Sequence, residues 1–331
     1  MKKIINNPEA VVEDMIRGMV AAHEDQLKQV PDSTVLARKQ SPVQGKVGIV
    51  SGGGSGHEPA HAGYVGKGML DAAVCGSVFT SPTPDQVLEA IKAVDGGAGV
   101  LLIIKNYTGD VMNFEMAAEL AEMEGLTVDK VVVNDDVAVK DSTYTTGRRG
   151  IAGTVFVHKI AGAKAESGAS LAEVKAAAEK AVANVRSMGM ALTPCTVPAA
   201  GKPGFVIGEN EMEIGLGIHG EPGIVRTDIR TADEIAAELT GRILNDGVHQ
   251  PGDEVTVMIN GLGSTPMMEL YILNAKVNDI LREKGISVYK TLVGEYMTAI
   301  DMAGCSVSLL KLDSELKELL DAPSEALALR V

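Results

Sequence analysis

KVGIVSGGGSGHEPAH, residues 46–61, joins a short aliphatic run to four glycines packed between Ser51 and His57. The run KVGIVSG has the length and aliphatic content of a buried strand, and the glycines read as a loop leading into a helix N-terminus. A strand, a glycine loop and a helix in that order set backbone N–H groups at the carboxyl edge of a parallel sheet, where ligands bind in such folds. Without side chains the loop lets a small polar ligand approach the backbone closely. A tight structural turn is the plainer reading, but a histidine in the middle of the glycines favours a site.

Working outward, KVGIVSG (46–52), DAAVCG (71–76), GVLLIIKN (99–106) and DKVVVND (129–135) are short apolar runs separated by helical segments at 85–94 and 113–123. Asn7-Pro8 opens the first helix as N-cap and first helical residue. A polar loop at 140–150 leads to an Ala-rich stretch read as helix over 153–190, broken near Ser167-Gly168. A second alternation follows: strands at 204–208, 211–220, 253–261, 285–292 and 305–312, with helices at 231–245 and 266–284. The expected fold is α/β, with largely parallel or mixed sheets in two domains, 1–188 and 189–331, and a site at loop edges built from both halves. TPCTVPAAGKPG (193–204) is an alternative linker.

Two short motifs fail on inspection. HEPAH fits the H-E-x-x-H zinc pattern, but the glycines before His57 cannot carry the helical turn a zincin needs, and Pro59 fits only near a helix start. His57 therefore belongs to the loop and His61 to the first turns beyond it, bracing the loop. The dinucleotide pattern G-x-G-x-x-G would need glycine at 57 or 59, which are His57 and Pro59, and no phosphate-loop motif follows. No metal is assigned.

The composition bounds the function. A net charge of −14 opposes binding to a nucleic-acid backbone. The absence of any run of about 18 apolar residues argues against a membrane span. Cys75, Cys195 and Cys305 lack metal spacing, and with no secretory leader they read as buried thiols in a reducing cytoplasm.

Two further segments carry chemistry. KNYTGD ends the strand at 99–106, so Lys105 and Asp110 sit past a carboxyl edge, either as a surface ion pair or as a cation for a substrate oxygen beside a base for a hydroxyl. EMEIGLGIHGEPG (211–223) alternates, with Met212, Ile214, Leu216 and Ile218 on one face and Glu213, Gly215, Gly217 and His219 on the other. His219 is either a core histidine or, neutral near pH 7, a nucleophilic nitrogen with space cleared by the glycines. His23, His158 and His249 read as structural or solvated.

GGGSGHEPAHAGYVGKGMLDAAVCG, KNYTGDVMNFEMAAE, TGRRGIAGTVFVHKIAGA and GLGIHGEPG, in this order, resemble the dihydroxyacetone-binding subunit of dihydroxyacetone kinases of the phosphotransferase-system-dependent type. The resemblance runs from the first helix to the last strand. It implies that His219 binds the carbonyl carbon of dihydroxyacetone as a hemiaminal, and that Gly54, Ser55, Gly56, His57, Lys105 and Asp110 surround the substrate. His57 and Asp110 match the acid/base residues. It implies no cofactor on this chain, with ADP or ATP and Mg held by a nucleotide-binding helical kinase subunit that a phosphotransferase-system protein recharges, and a homodimer. A transcriptional co-activator paralogue that binds dihydroxyacetone, or a kinase subunit for another short ketose such as erythrulose, is the alternative. Ser77 stands where many relatives carry an acidic residue.

Overall fold

The structure, a computed structural model, describes residues 2–140 and 145–331, so residues 141–144 of the expected loop at 140–150 lie outside the described residues. The first half forms a six-stranded sheet of β1 (Leu27–Gln29), β2 (Val35–Arg38), β3 (Gly48–Ser55), β4 (Ala72–Val78), β5 (Val100–Lys105) and β6 (Val128–Val133). Its order is β1-β2-β4-β3-β5-β6. The last four strands run parallel, while β1 and β2 add antiparallel pairs at one edge.

The sequence of β5 explains why both faces of this sheet are covered. Leu101 and Ile103 point to one face and Val100, Leu102 and Ile104 to the other, and all are fully buried. One face packs on α2 (Pro84–Val94) and α3 (Thr108–Met123). The other packs on α4 (Thr154–Glu166) and α5 (Leu171–Asn184), joined by α1 (Val11–Ala22). Burying each such aliphatic side chain contributes roughly 1.5–3 kcal/mol.

A second six-stranded sheet holds β7 (Val185–Ala191), β8 (Glu211–Ile214), β9 (Val225–Asp228), β10 (Glu254–Gly261), β11 (Ser287–Gly294) and β12 (Gly304–Lys311), in the order β11-β10-β12-β7-β8-β9. Only β10 and β11 pair in parallel. Val255, Val257 and Ile259 of β10 face α6 (Ala232–Asn245) and α7 (Met267–Glu283), whereas Met258 joins the core shared with α4 and α5. The layers therefore run helix, sheet, helix, sheet, helix, with α4 and α5 serving both sheets. The chain ends on the first half: α8 (Ser314–Asp321) packs with α4, and the buried Lys159 ammonium donates to the Leu319 and Ala322 carbonyls at its C-terminal end, each at 2.7 Å.

Several expectations need correction. Residues 185–190 are not the end of a helix but strand β7, because Val185, Ser187 and Gly189 leave α5 for the edge of β12. Residue 188 lies in the middle of that strand. The expected strand at 204–208 is absent, and 211–220 is a strand only to Ile214. β1, β2 and β9 are too short to announce themselves. No α-helix follows the glycines: β3 continues through Ser55, and only the 3₁₀ turn Ala62–Tyr64 succeeds it. Asn7 does cap the chain start, its side chain accepting from Glu9 N–H, although the first turn is 3₁₀.

His158 and His249 are buried. Burial, with the Lys105 charge, takes His158 down to about 3. Burial takes His249 down to about 4 against the opposing pull of the Leu309 carbonyl. Both are neutral in the folded protein, and in the unfolded chain each binds a proton near pH ~6.5. The unfolded state thus holds the extra protons between about pH 6.5 and 4, and stability falls as pH drops through that window by about 1.4 kcal/mol per pH unit for each group. Urea unfolding at about pH 7 and pH 5 measures this loss. His249→Gln, which keeps an N–H for the Leu309 carbonyl, is expected to shrink it, and an unchanged loss removes His249 from the account.

Candidate active site

The carboxyl ends of β3, β4 and β5 meet the loops after β8 and β11 of the second sheet, and the polar residues concentrate there. Lys105, the last residue of β5, is fully buried, and its Nζ lies 3.3 Å from Asp110 Oδ2. Asp110 sits in the first turn of α3, where the positive end of the helix dipole favours a carboxylate, and its Oδ1 accepts from Ser81 Oγ at 2.5 Å. The surface reading of this pair is therefore wrong: the ion pair is internal. Gly53 makes room for it. A methyl group at Gly53 would stand 2.5 Å from Lys105 Nζ and 3.6 Å from Asp110 Oδ2.

His57 lies fully buried beside this pair. Its Nδ1 is 2.7 Å from the Thr298 carbonyl, which accepts only, so Nδ1 carries the proton and Nε2 keeps a lone pair. Nε2 has no partner. Burial, then the nearby His219 and Lys105, hold the imidazole well below its usual value, and it is neutral near pH 7. Its ring stacks on Phe79 at 5.0 Å and meets His219 edge-on at 4.7 Å.

His219 is not on a strand. The chain leaves β8 at Ile214 and turns, and Glu221 folds back so that Oε2 accepts the His219 backbone N–H and Oε1 the ring Nδ1–H, both at 2.9 Å. Gly217 permits this, since a methyl group there would lie 2.0 Å from Glu221 Oε2 and 2.7 Å from Arg149 Nη1. The glycine clears space for its own loop's carboxylate. Burial works to raise the Glu221 carboxyl, but the His219 hydrogen bond and the Arg149 charge outweigh it and bring it down to about 2. An ionised Glu221 fixes the proton on Nδ1 and leaves the Nε2 lone pair of His219 available. Tyr107 and Phe79 hold the ring edge-on at 4.6 and 5.3 Å. Arg149 is itself fully buried, tied to Asp136 and to the Gly215 carbonyl.

A cleft of about 700 Å³ opens over these groups, lined by Gly54, Ser81, Tyr107, Asp110, His219 and Glu221 among others. Gly54, Asp110 and His219 thus reach the cleft, and His57 and Lys105 lie buried against it. Ser55 and Gly56 are turned elsewhere. The Ser55 hydroxyl donates to the Gly76 carbonyl at 2.7 Å, and both residues border a smaller cavity under the N-terminal segment. Ser77, at the exposed end of β4, lines a neighbouring polar cleft with Ser81 and Thr83. Sequence reading missed Gly53, Phe79, Ser81, Tyr107, Arg149 and Glu221. Of these, Glu221 alone left a usable signal, an acid two residues from a candidate histidine.

Residues 17–328 match the Dak1 domain family. The chain is 58% identical over 315 residues to the dihydroxyacetone-binding subunit DhaK of PTS-dependent dihydroxyacetone kinase 1 from Listeria innocua, covering 95% of both chains. Its fold superposes on the dihydroxyacetone kinase of C. freundii with a TM-score of 0.91 and 37% identity over 98% of the chain, which spans 60% of that longer kinase. It also superposes on the dihydroxyacetone kinase operon co-activator DhaQ with a TM-score of 0.89 and 38% identity, covering 96% and 97% of the two chains. Matches of this extent, over a buried Lys–Asp pair and a histidine braced by its own loop, leave one conclusion: the chain belongs to the Dak1 domain family, with the dihydroxyacetone-binding subunits of dihydroxyacetone kinases.

Proposed function

We propose that this chain is the substrate-binding subunit of a phosphoenolpyruvate-dependent dihydroxyacetone kinase, capturing the ketose on His219 and presenting a hydroxyl to a nucleotide-bearing partner subunit. One observation carries the reading: His219 has its Nδ1 proton fixed by Glu221 and its ring at the cleft that also holds Asp110. The His219 Nε2 lone pair adds to the carbonyl carbon and forms a C–N bond. The electron pair displaced from C=O goes to oxygen, which takes a proton from solvent, and the positive charge left on the ring faces the Glu221 carboxylate. Glycerol has no carbonyl and escapes capture, so the bond selects ketoses over polyols.

Asp110 then takes the proton of a terminal hydroxyl as that oxygen attacks the phosphoryl group, with neutral His57 close by to relay it and the Lys105 ammonium holding a substrate oxygen. The cleft is far larger than a three-carbon molecule needs. The surplus suits entry of a phosphoryl donor from a nucleotide and Mg bound on the helical partner, which a phosphotransferase-system protein recharges. A cytoplasmic homodimer completes the proposal. Buried free thiols are in keeping with that compartment, and no described helix is long and apolar enough to cross a membrane.

The likeness to an operon co-activator favours a second reading, a ketose sensor without turnover. Such a sensor needs His219 and the pocket but no base. The room in the cleft also admits a four-carbon ketose such as erythrulose.

Intact mass after incubation with dihydroxyacetone, followed by peptide mapping, is expected to add one triose to the peptide bearing His219, with none from glycerol. His219→Ala abolishes the adduct in a protein that still folds; an adduct that persists places the bond elsewhere. Glu221→Gln, which no longer fixes the tautomer, lowers the adduct yield, and a wild-type yield would remove Glu221 from the reaction. Asp110→Asn is expected to keep the adduct while lowering kcat with the partner subunits about 10²- to 10⁴-fold. Wild-type protein that forms the adduct but never turns over, whatever partner is supplied, is a sensor.

A further inference from the structure

His61 takes no part in the chemistry above, yet it is a buried polar group with one nitrogen unaccounted for. Its Nδ1 lies 3.0 Å from His158 Nε2 and 3.4 Å from Ser51 Oγ. Ser51 spends its own proton on the Ile103 carbonyl at 2.7 Å, so toward His61 it can only accept. A proton on His61 Nδ1 serves both contacts when His158 Nε2 accepts, and it leaves the His61 Nε2 with a lone pair, whereas His158 as donor would satisfy only the 3.0 Å contact. Nε2 is buried and unpartnered, at a cost of about 1–3 kcal/mol if no donor reaches it.

The charged donor bordering the same glycine is Lys105, whose Nζ makes its hydrogen bond to Asp110 and none to His61 Nε2 in this structure. A methyl group at Gly53 would touch three groups at once, standing 2.5 Å from Lys105 Nζ, 3.6 Å from Asp110 Oδ2 and 3.6 Å from His61 Nε2. The opposite tautomer would turn an N–H of His61 toward the same face of Gly53 as an ammonium, donor against donor. Burial, followed by the charge of Lys105, keeps His61 well below its ordinary value, and the ring is neutral.

We propose that His61 is a positioning residue for Lys105: as the Nδ1–H tautomer it offers Nε2 to the ammonium and steers the remaining N–H groups to Asp110 and to the ketose oxygen. This rests on the proposed ketose site. An ammonium has three N–H groups, and three acceptors then surround it when substrate is present. His158 and Ser51 set the tautomer from behind.

The two amides separate this role from a purely structural one. Glutamine reaches with its oxygen to the place of Nε2, and asparagine only to that of Nδ1. Dihydroxyacetone affinity, by calorimetry on the full chain, is expected to stay within about threefold of wild type in His61→Gln and to fall about tenfold in His61→Asn, the size of one hydrogen bond to a charged group. KM with the partner subunits rises in step with that loss. In a Lys105→Met background His61→Asn should add nothing further. Wild-type affinity in His61→Asn, a loss larger in His61→Gln than in His61→Asn, or additive losses with Lys105→Met would each overturn the proposal. Histidine ¹⁵N spectra of the wild-type protein give a test that needs no variant: the proton belongs on His61 Nδ1, and a proton on Nε2 refutes the assignment. A wild-type chain that binds no dihydroxyacetone sinks the ketose site itself, and the role of His61 with it, whereas a wild-type chain that binds normally beside an indifferent His61→Asn sinks only the latter.

Discussion

An ammonium group cannot be buried alone. Removing a charge from water costs several kcal/mol even after relaxation, and a partner close by must offset it. Lys105, with no exposed surface, meets that demand through Asp110 Oδ2, and the neighbourhood is arranged around the pair. Asp110 starts a helix whose dipole favours its charge. Gly53 withdraws its side chain so that Nζ fits. His57, His61 and His158 stay neutral, and Lys105 is among the causes for all three. The result is one positive centre paired with a carboxylate and surrounded by neutral imidazoles.

The second half of the chain adds His219 to this fixed centre. Its loop after β8 folds on itself, with Glu221 accepting both the backbone and ring N–H of His219. Because Arg149, anchored on Asp136 from the first half, lies against Glu221, the orientation of His219 depends on contacts from both halves. The Thr298 carbonyl reaches back in the same way to set the tautomer of His57. Two sheets sharing the layer of α4 and α5 hold these loops in register, so the site is a property of their packing rather than of either half.

Sequence reading placed the parallel strands β3 to β6 well because each is a short aliphatic run, those of β3 and β5 buried on both faces, set apart by helical segments. It failed where local composition and tertiary pairing disagree. Val185–Ala191 follows an Ala-rich helix and looks like its continuation, yet the open edge of β12 draws it into a sheet. GIHGEPG looks like the end of an alternating strand, yet Glu221 pulls it into a turn. His57, Lys105 and Asp110 were picked out by their chemistry and their position after strands, and His219 by its chemistry on what was read as a strand; the structure brings Asp110 and His219 to one cleft with His57 and Lys105 buried beside it. Ser55 and Gly56 came in with the family resemblance; here the Ser55 hydroxyl is spent on the Gly76 carbonyl and both residues border the smaller cavity under the N-terminal segment.

By itself the sequence determined the class of fold, and it offered candidate residues at the carboxyl edge of the first sheet. Those depend on periodicity and side-chain chemistry, which are local. Tertiary structure alone decided the pairing of these groups: that His57 and His219 carry their protons on Nδ1, that the Lys105 and Asp110 charges are internal, and that Glu221 and Gly53 lie against them. Such properties follow from burial and from partners distant in the chain, such as Thr298 opposite His57, and no window of sequence contains them.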